Sequence, residues 1–250
     1  MNKLKCTVSY DGTNFSGYQI QPKSRTVQAE IEAALKRMHK GNDIRIQSSG
    51  RTDKGDHAKR QVFHFNTELT IPSHRWKKAL NTLLPSDIRI VAVEEVSDNF
   101  HARFDAIEKE YRYFILNTNE PDVFKRNYTH FDPDVINIEK FQAACKKFEG
   151  THDFTSFCSA KTTIKGSRVR TLYEVSCHKQ EDIIMVILRG DGFLYHMALI
   201  IGSVLLDVAK GKMSMSEIDT LFSVKNREYA GMTIPPEGLY LWDVIYEKDN

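Results

Sequence analysis

Within nine positions, Gly50-Arg51-Thr52-Asp53-Lys54-Gly55-Asp56-His57-Ala58 gathers carboxylates, a guanidinium, an imidazole and two glycines. The segment lies between two strand-like runs, Ile44 to Gln47 and Gln61 to Phe65. Its glycines let the backbone turn tightly and let a substrate come close. Arg51 and Asp53 are two apart, so in an extended segment they point the same way. A carboxylate beside a guanidinium is expected to stay ionised and oriented, as a nucleophile or general base must. The plainer alternative is a surface turn in which Asp53 hydrogen-bonds its own backbone.

The elements around this loop read as two similar halves. In the first, Lys3 to Tyr10 alternates like a strand, and Thr26 to His39 places Val27, Ile31, Ala34, Leu35 and Met38 on one helical face. After the two strands that flank the loop come a helix from about Ser73 to Leu83, with Ser73 as N-cap, and a strand at Ile88 to Val96. That β-α-β-β-α-β order is the ferredoxin-like split unit. The second half repeats it less cleanly. It has strands at Lys109 to Leu116, Arg170 to His178, Ile183 to Leu188 and Leu241 to Tyr246, and helices at Ile138 to Phe148, Tyr195 to Ala209 and Ser216 to Phe222. The fold class is therefore α+β. Two ferredoxin-like, RRM-like halves, residues 1–105 and 106–250, are expected to join antiparallel sheets side by side, with helices on one face and a cleft on the other.

Composition narrows the chemistry. Hydrophobic and charged fractions of 41% and 27% belong to an ordered globular chain, not a disordered one. Cys6, Cys145, Cys158 and Cys177 show neither C-x-x-C spacing nor a disulfide framework, so no structural metal site is expected. No P-loop, dinucleotide fingerprint or H-E-x-x-H occurs, so neither cofactor nor catalytic metal is expected. The N-terminal residues run into a strand without a signal-like apolar core, and the longest apolar helix is too short to span a bilayer. The cytoplasm is the expected compartment. A net charge of +2 does not announce a nucleic-acid binder, but its distribution is uneven. Lys54, Lys59 and Arg60 face one acid, Asp56, and the segment from Ala160 to Thr171 carries Lys161, Lys165, Arg168 and Arg170 with none. Two such segments near a candidate carboxylate form a plausible phosphate track.

The loop resembles the signature of the TruA family of tRNA pseudouridine synthases, Gly-Arg-Thr-Asp-x-Gly-x-His. Further matches follow in order: Tyr10-Asp11-Gly12-Thr13-Asn14-Phe15-Ser16-Gly17-Tyr18-Gln19, Phe100-His101-Ala102-Arg103-Phe104, Tyr111-Arg112-Tyr113, Asp153-Phe154-Thr155-Ser156-Phe157, Phe193-Leu194-Tyr195-His196-Met197 and Glu237-Gly238-Leu239-Tyr240-Leu241. The resemblance implies a cofactor-free isomerase that acts on tRNA as a homodimer, at uridines 38–40 of the anticodon stem-loop. It implies that Asp53 is the catalytic aspartate, that Tyr111 stacks on the target base, and that Arg51 is inserted as the base leaves its stack. Arg103, Arg168 and Arg170 are candidate phosphate contacts, and His57 and His101 candidate hydrogen-bond donors. An apolar face on the Tyr195 to Ala209 helix would suit the dimer.

Three positions depart from that pattern. Asp56 stands where the family usually has an apolar residue, Leu199 where it usually has an arginine, and Asp191 where it usually has an asparagine. A second carboxylate near Asp53 is expected to raise its pKa unless Lys54, Lys59 or Arg60 neutralises it. The departures keep two alternatives open: the same isomerase with another RNA target (ribosomal RNA or another tRNA arm), and a non-catalytic RNA-binding paralogue.

Overall fold

The computed structural model describes residues 1–160 and 166–247. In chain order the elements are β1 (Asn2–Tyr10), α1 (Val27–Met38), β2 (Gln47–Ser48), β3 (His57–Thr67), α2 (Ser73–Leu83), β4 (Ile88–Val96), β5 (Glu108–Leu116), β6 (His130–Phe131), α3 (Ile138–Lys146), β7 (Gly150–Asp153), β8 (Val169–Gln180), β9 (Ile183–Gly190), α4 (Met197–Ala209), α5 (Met215–Val224) and β10 (Leu239–Ile245). The α+β class is borne out. The chain divides into one compact unit of Met1–Ile107 with Tyr240–Asn250, and a second of Glu108–Leu239.

In the first unit β1 lies between β4 and β3, antiparallel to both, and β2 pairs with β3. This is the strand order that a split β-α-β unit produces. Residues 240–250, read from the sequence as part of the second half, belong here because β10 pairs parallel with β3 through Tyr240↔His57 and Leu241↔Ala58. One face of the sheet is covered by helices. Val27, Ile31 and Leu35 of α1 and Trp76 and Leu80 of α2 are buried, and Trp76 meets Phe65 edge-on at 5.6 Å. Thr26 caps α1, its hydroxyl accepting the Ala29 N–H. For α2 the cap is Pro72, not Ser73, and no side chain bonds to the first turn. Of the predicted strand Ile44 to Gln47, only Gln47 is paired, whereas β3 begins four residues earlier than predicted, inside the polar loop.

In the second unit β5, β9, β8 and β7 form an antiparallel sheet in that order, and β6 runs parallel beside β5. Phe141, Ala144 and Cys145 of α3 are buried, and the Gln142 amide donates to the Cys177 carbonyl of β8. Phe154 and Phe157 belong to an aromatic cluster with Phe148 and Phe222, all four centroids within 5.0–5.9 Å of a neighbour. The motif from Asp153 to Phe157 is therefore core packing. One expectation is overturned: α4 has no exposed apolar face. Met197, Leu199, Ile200, Ile201, Val204 and Leu205 are all 5% exposed or less. A helix that is apolar all round is an interior helix, and this one is interior to its own chain.

Candidate active site

The polar loop is held from two sides within the first unit. On one side is the segment that follows β1. Tyr10 is buried, and its phenol shares a 2.7 Å hydrogen bond with the Thr52 hydroxyl. The Tyr18 N–H donates to the Thr52 carbonyl at 3.0 Å. Glycine is required twice in this segment: a Cβ at Gly12 would collide with the Asp56 carbonyl, and one at Gly17, where φ is +101°, would lie 3.0 Å from the Thr52 carbonyl oxygen. From the other side comes β3. Gln61, fully buried, accepts from the Ser49 hydroxyl at 2.5 Å and donates to the Gly50 carbonyl at 3.0 Å. His57 is also buried; its Nδ1 accepts the Gly12 N–H at 3.0 Å and its ring stacks on Tyr240 at 4.6 Å.

Asp53 sits half-buried on this frame, and Arg51 is exposed beside it. Burial pushes the Asp53 carboxyl up to about 6, and the Arg51 guanidinium opposes that shift without cancelling it. Asp53 is therefore still ionised at pH 7, with desolvation outweighing a guanidinium that is itself in water. The predicted like-charge effect acts chiefly on the neighbour. Asp56 is buried and is driven well above the usual carboxylate range, first by burial and then by Asp53. Two of the three cations proposed to neutralise it are engaged elsewhere, Lys59 over the Trp242 ring at 5.8 Å and Arg60 on Asp243 at 3.0 Å. Arg189 of the second unit pairs with Glu108 at 2.6 Å and Glu174 at 3.4 Å.

Of the predicted site residues, Asp53, Arg51 and His57 come together on one loop, with His57 turned inward as a brace. Arg103 lies in the same unit, exposed on a turn that is pinned where the His64 Nδ1 accepts the Ala102 N–H and the Tyr246 phenol donates to the Ala102 carbonyl. Tyr111, Arg168 and Arg170 belong to the second unit. Tyr111 is 9% exposed, its ring edge-on to Phe193 at 4.8 Å. Arg170 folds back onto the carbonyls of Ser167 and Val169, and the Arg168 carbonyl accepts the Phe154 N–H. Lys161 and Lys165 of the basic segment lie outside the described residues. Leu199 occupies an apolar environment on α4, where its carbonyl accepts the Ile234 N–H at 3.5 Å. Asp191 accepts the Thr171 N–H at 3.0 Å, a role that needs only a side-chain oxygen.

Sequence reasoning missed Gln61 and the partnership of Tyr10 with Thr52. The signal for Gln61 was present: a polar residue on the inward parity of a strand asks what it bonds to.

The family model for tRNA pseudouridine synthase matches residues 7–105 and 144–247. A tRNA pseudouridine synthase A of Oceanobacillus iheyensis is 56% identical over 250 residues, covering all of this chain and 99% of the relative. The enzymes of that name from Geobacillus sp. (strain WCH70) and Bacillus subtilis (strain 168) are 51% and 50% identical, each covering 98% of this chain and 99% and 100% of their own length. A solved Cbf5-Nop10-Gar1 complex is matched with a TM-score of 0.34 and 13% identity over 81% of this chain and 54% of that chain, too loose a likeness to bear on the fold. The loop, the segment that buttresses it and β10 all fall within the matched span, and the identity extends over the whole length: the chain belongs to the TruA family of tRNA pseudouridine synthases.

Proposed function

We propose that this protein converts uridine to pseudouridine in tRNA, at positions 38–40 of the anticodon stem-loop, with Asp53 as the catalytic carboxylate. The observation that carries this reading is the Gly50–His57 loop: one half-buried carboxyl, braced from β1 and β3, beside an exposed arginine, in a chain of this family. The isomerisation breaks the bond between ribose C1′ and uracil N1 and forms one between C1′ and C5. C5 gives up its hydrogen as a proton and N1 gains one, so atoms and electrons balance without an external reagent. A carboxylate beside the sugar acts on this exchange as nucleophile or base. Arg51, which is exposed, would enter the RNA as the uridine leaves its stack, a step that costs a few kcal/mol. Tyr111 would stack on the base and Arg103, Arg168 and Arg170 would contact phosphates, while His57 holds the loop. The protein would act in the cytoplasm as a homodimer; among the described residues no helix is long and apolar enough to cross a membrane.

The test is tritium release from tRNA labelled at C5 of uridine, followed by mapping of the modified positions. Release with pseudouridine at 38–40 supports the proposal. Release with pseudouridine elsewhere moves the target to another arm or RNA, and no release from tRNA or ribosomal RNA leaves a binding protein. The charge state of Asp53 adds a second expectation. With its carboxyl at about 6, kcat/KM should reach its plateau near pH 7 and fall tenfold per pH unit below about 6. A profile flat down to pH 4.5 would mean that an ordinarily acidic group is responsible.

A further inference from the structure

Asp56 is a buried ionisable group that the proposed reaction does not use. Its Oδ2 accepts the Asp53 N–H at 2.8 Å, and its own N–H donates to the Asp53 carbonyl at 3.2 Å. Main chain and side chain thus close the same turn. Its Oδ1 is buried and has no hydrogen-bond partner among the described residues. A carboxylate in that position would be solvated by one N–H alone, which is a costly state. A neutral carboxyl costs less, because no full charge is buried: the carbonyl oxygen receives the N–H and the proton sits on the other oxygen.

The ionisable groups around it come from three elements. Asp53, Arg51 and Lys54 are on the loop, Tyr10 and Asp11 on β1 and the residue after it, and His57 on β3. Since the His57 Nδ1 accepts the Gly12 N–H, it carries no proton toward Asp11, 3.3 Å away. Arg51 and Lys54 are exposed.

We propose that Asp56 is a positioning residue: as a neutral carboxyl it clamps the backbone of Asp53, and its ionisation releases that clamp and limits the reaction on the alkaline side. Burial and the Asp53 charge hold it neutral well above the usual carboxylate range, outweighing the Asp53 N–H, which favours the ionised form. Once ionised, it is repelled by Asp53 and reaches water only by leaving the turn. The inference rests on the reading of Asp53 as the catalytic carboxylate.

The experiment compares the wild type with Asp56→Asn and Asp56→Val, following kcat and KM for tritium release from pH 5 to 9 and melting temperature from pH 4 to 9. Asparagine keeps an oxygen for the Asp53 N–H and cannot ionise; valine offers no oxygen. The acid limb should be common to all three, and the alkaline fall of the wild type should be absent from both variants. At pH 7 kcat should be about fivefold lower for valine than for asparagine, with KM within about twofold. The asparagine variant should melt about 3 °C or more above the wild type at pH 8 and level with it at pH 4. An alkaline limb in Asp56→Asn superimposable on the wild type, or equal kcat for the two variants, would overturn the positioning role. A melting temperature for Asp56→Asn at or below the wild type at pH 8 would overturn the neutral carboxyl. A wild type that releases no tritium removes the reaction, and with it the positioning role, while the melting series still decides the state of Asp56.

Discussion

Asp53→Asn is expected to lower tritium release by about a thousandfold or more while raising the melting temperature of the protein. The first effect follows from removing the group on which the exchange of bonds depends, with the neutral isostere preserving shape. RNA binding should stay within about threefold, because phosphate contacts by Lys and Arg dominate affinity and the substitution leaves them in place. The second effect has a sign that can be worked out. Asp53 titrates at about 6 in the fold against an ordinary 3.8, so the native state binds this proton more tightly than the unfolded chain does. Stability is full below about pH 4, declines as pH rises toward 6, and stays lower above it. Two pKa units set a ceiling of about 3 kcal/mol, and partial exposure of the carboxyl reduces that to about 1–2 kcal/mol. Asparagine escapes this loss. At pH 8 the variant should therefore melt about 3–6 °C higher, and at pH 4 the two proteins should coincide. Thermal denaturation across that range checks it. A variant that melts lower at pH 8 would mean that the ionised carboxylate is held by favourable partners, and near-wild-type turnover would remove Asp53 from the reaction.

Gly12→Ala should be the most damaging conservative change in the first unit. The new methyl would meet the Asp56 carbonyl, which is backbone and not the end of a flexible side chain. Either the segment after β1 or the catalytic loop must move. Overpacking against backbone costs about 2–4 kcal/mol, and a displacement of about 1 Å at a reacting group costs about a hundredfold in kcat. The matched control is Gly41→Ala. Gly41 has φ +97° but open space around it, so alanine there pays only the left-handed backbone cost of about 1–2 kcal/mol. Its turnover per folded molecule should match the wild type. Urea denaturation beside single-turnover tritium release separates the two variants. Equal kcat in both would mean that the contact between Gly12 and Asp56 does not set the position of Asp53.

Much of this was legible in the residues, and the failures have identifiable causes. The polar loop announced itself because its residue types serve no packing purpose. The spans of α2 and β4 were legible, although the cap of α2 is Pro72 and not Ser73. The two-residue strand β6 has no period to read, and β7 is only four residues long. The cause of the raised Asp53 value was not legible, because spacing reports that Arg51 is near but not how far Asp53 is desolvated. For α4 the signal was available and misread: from Met197 to Ala209 there is no polar stripe, only Ser203 and Asp207 interrupting the apolar run. The place of β10 could not be inferred from local pattern, since a strand does not encode its distant partner.

That last strand has a consequence for how the protein is made. The edge of the first unit closes on residues separated by most of the chain; Arg60 and Asp243, which pair across β3 and β10, are 183 positions apart. At about 5–20 residues per second, roughly 10–40 s of translation separate the two. Throughout that interval a nascent chain carries the start of β3, His57 and Ala58, without its β10 partner, and His57 without the Tyr240 ring. The second unit, Glu108–Leu239, is synthesised in between and contains none of the missing contacts. The brace behind Asp53 is therefore completed only after residues 239–245 leave the ribosome.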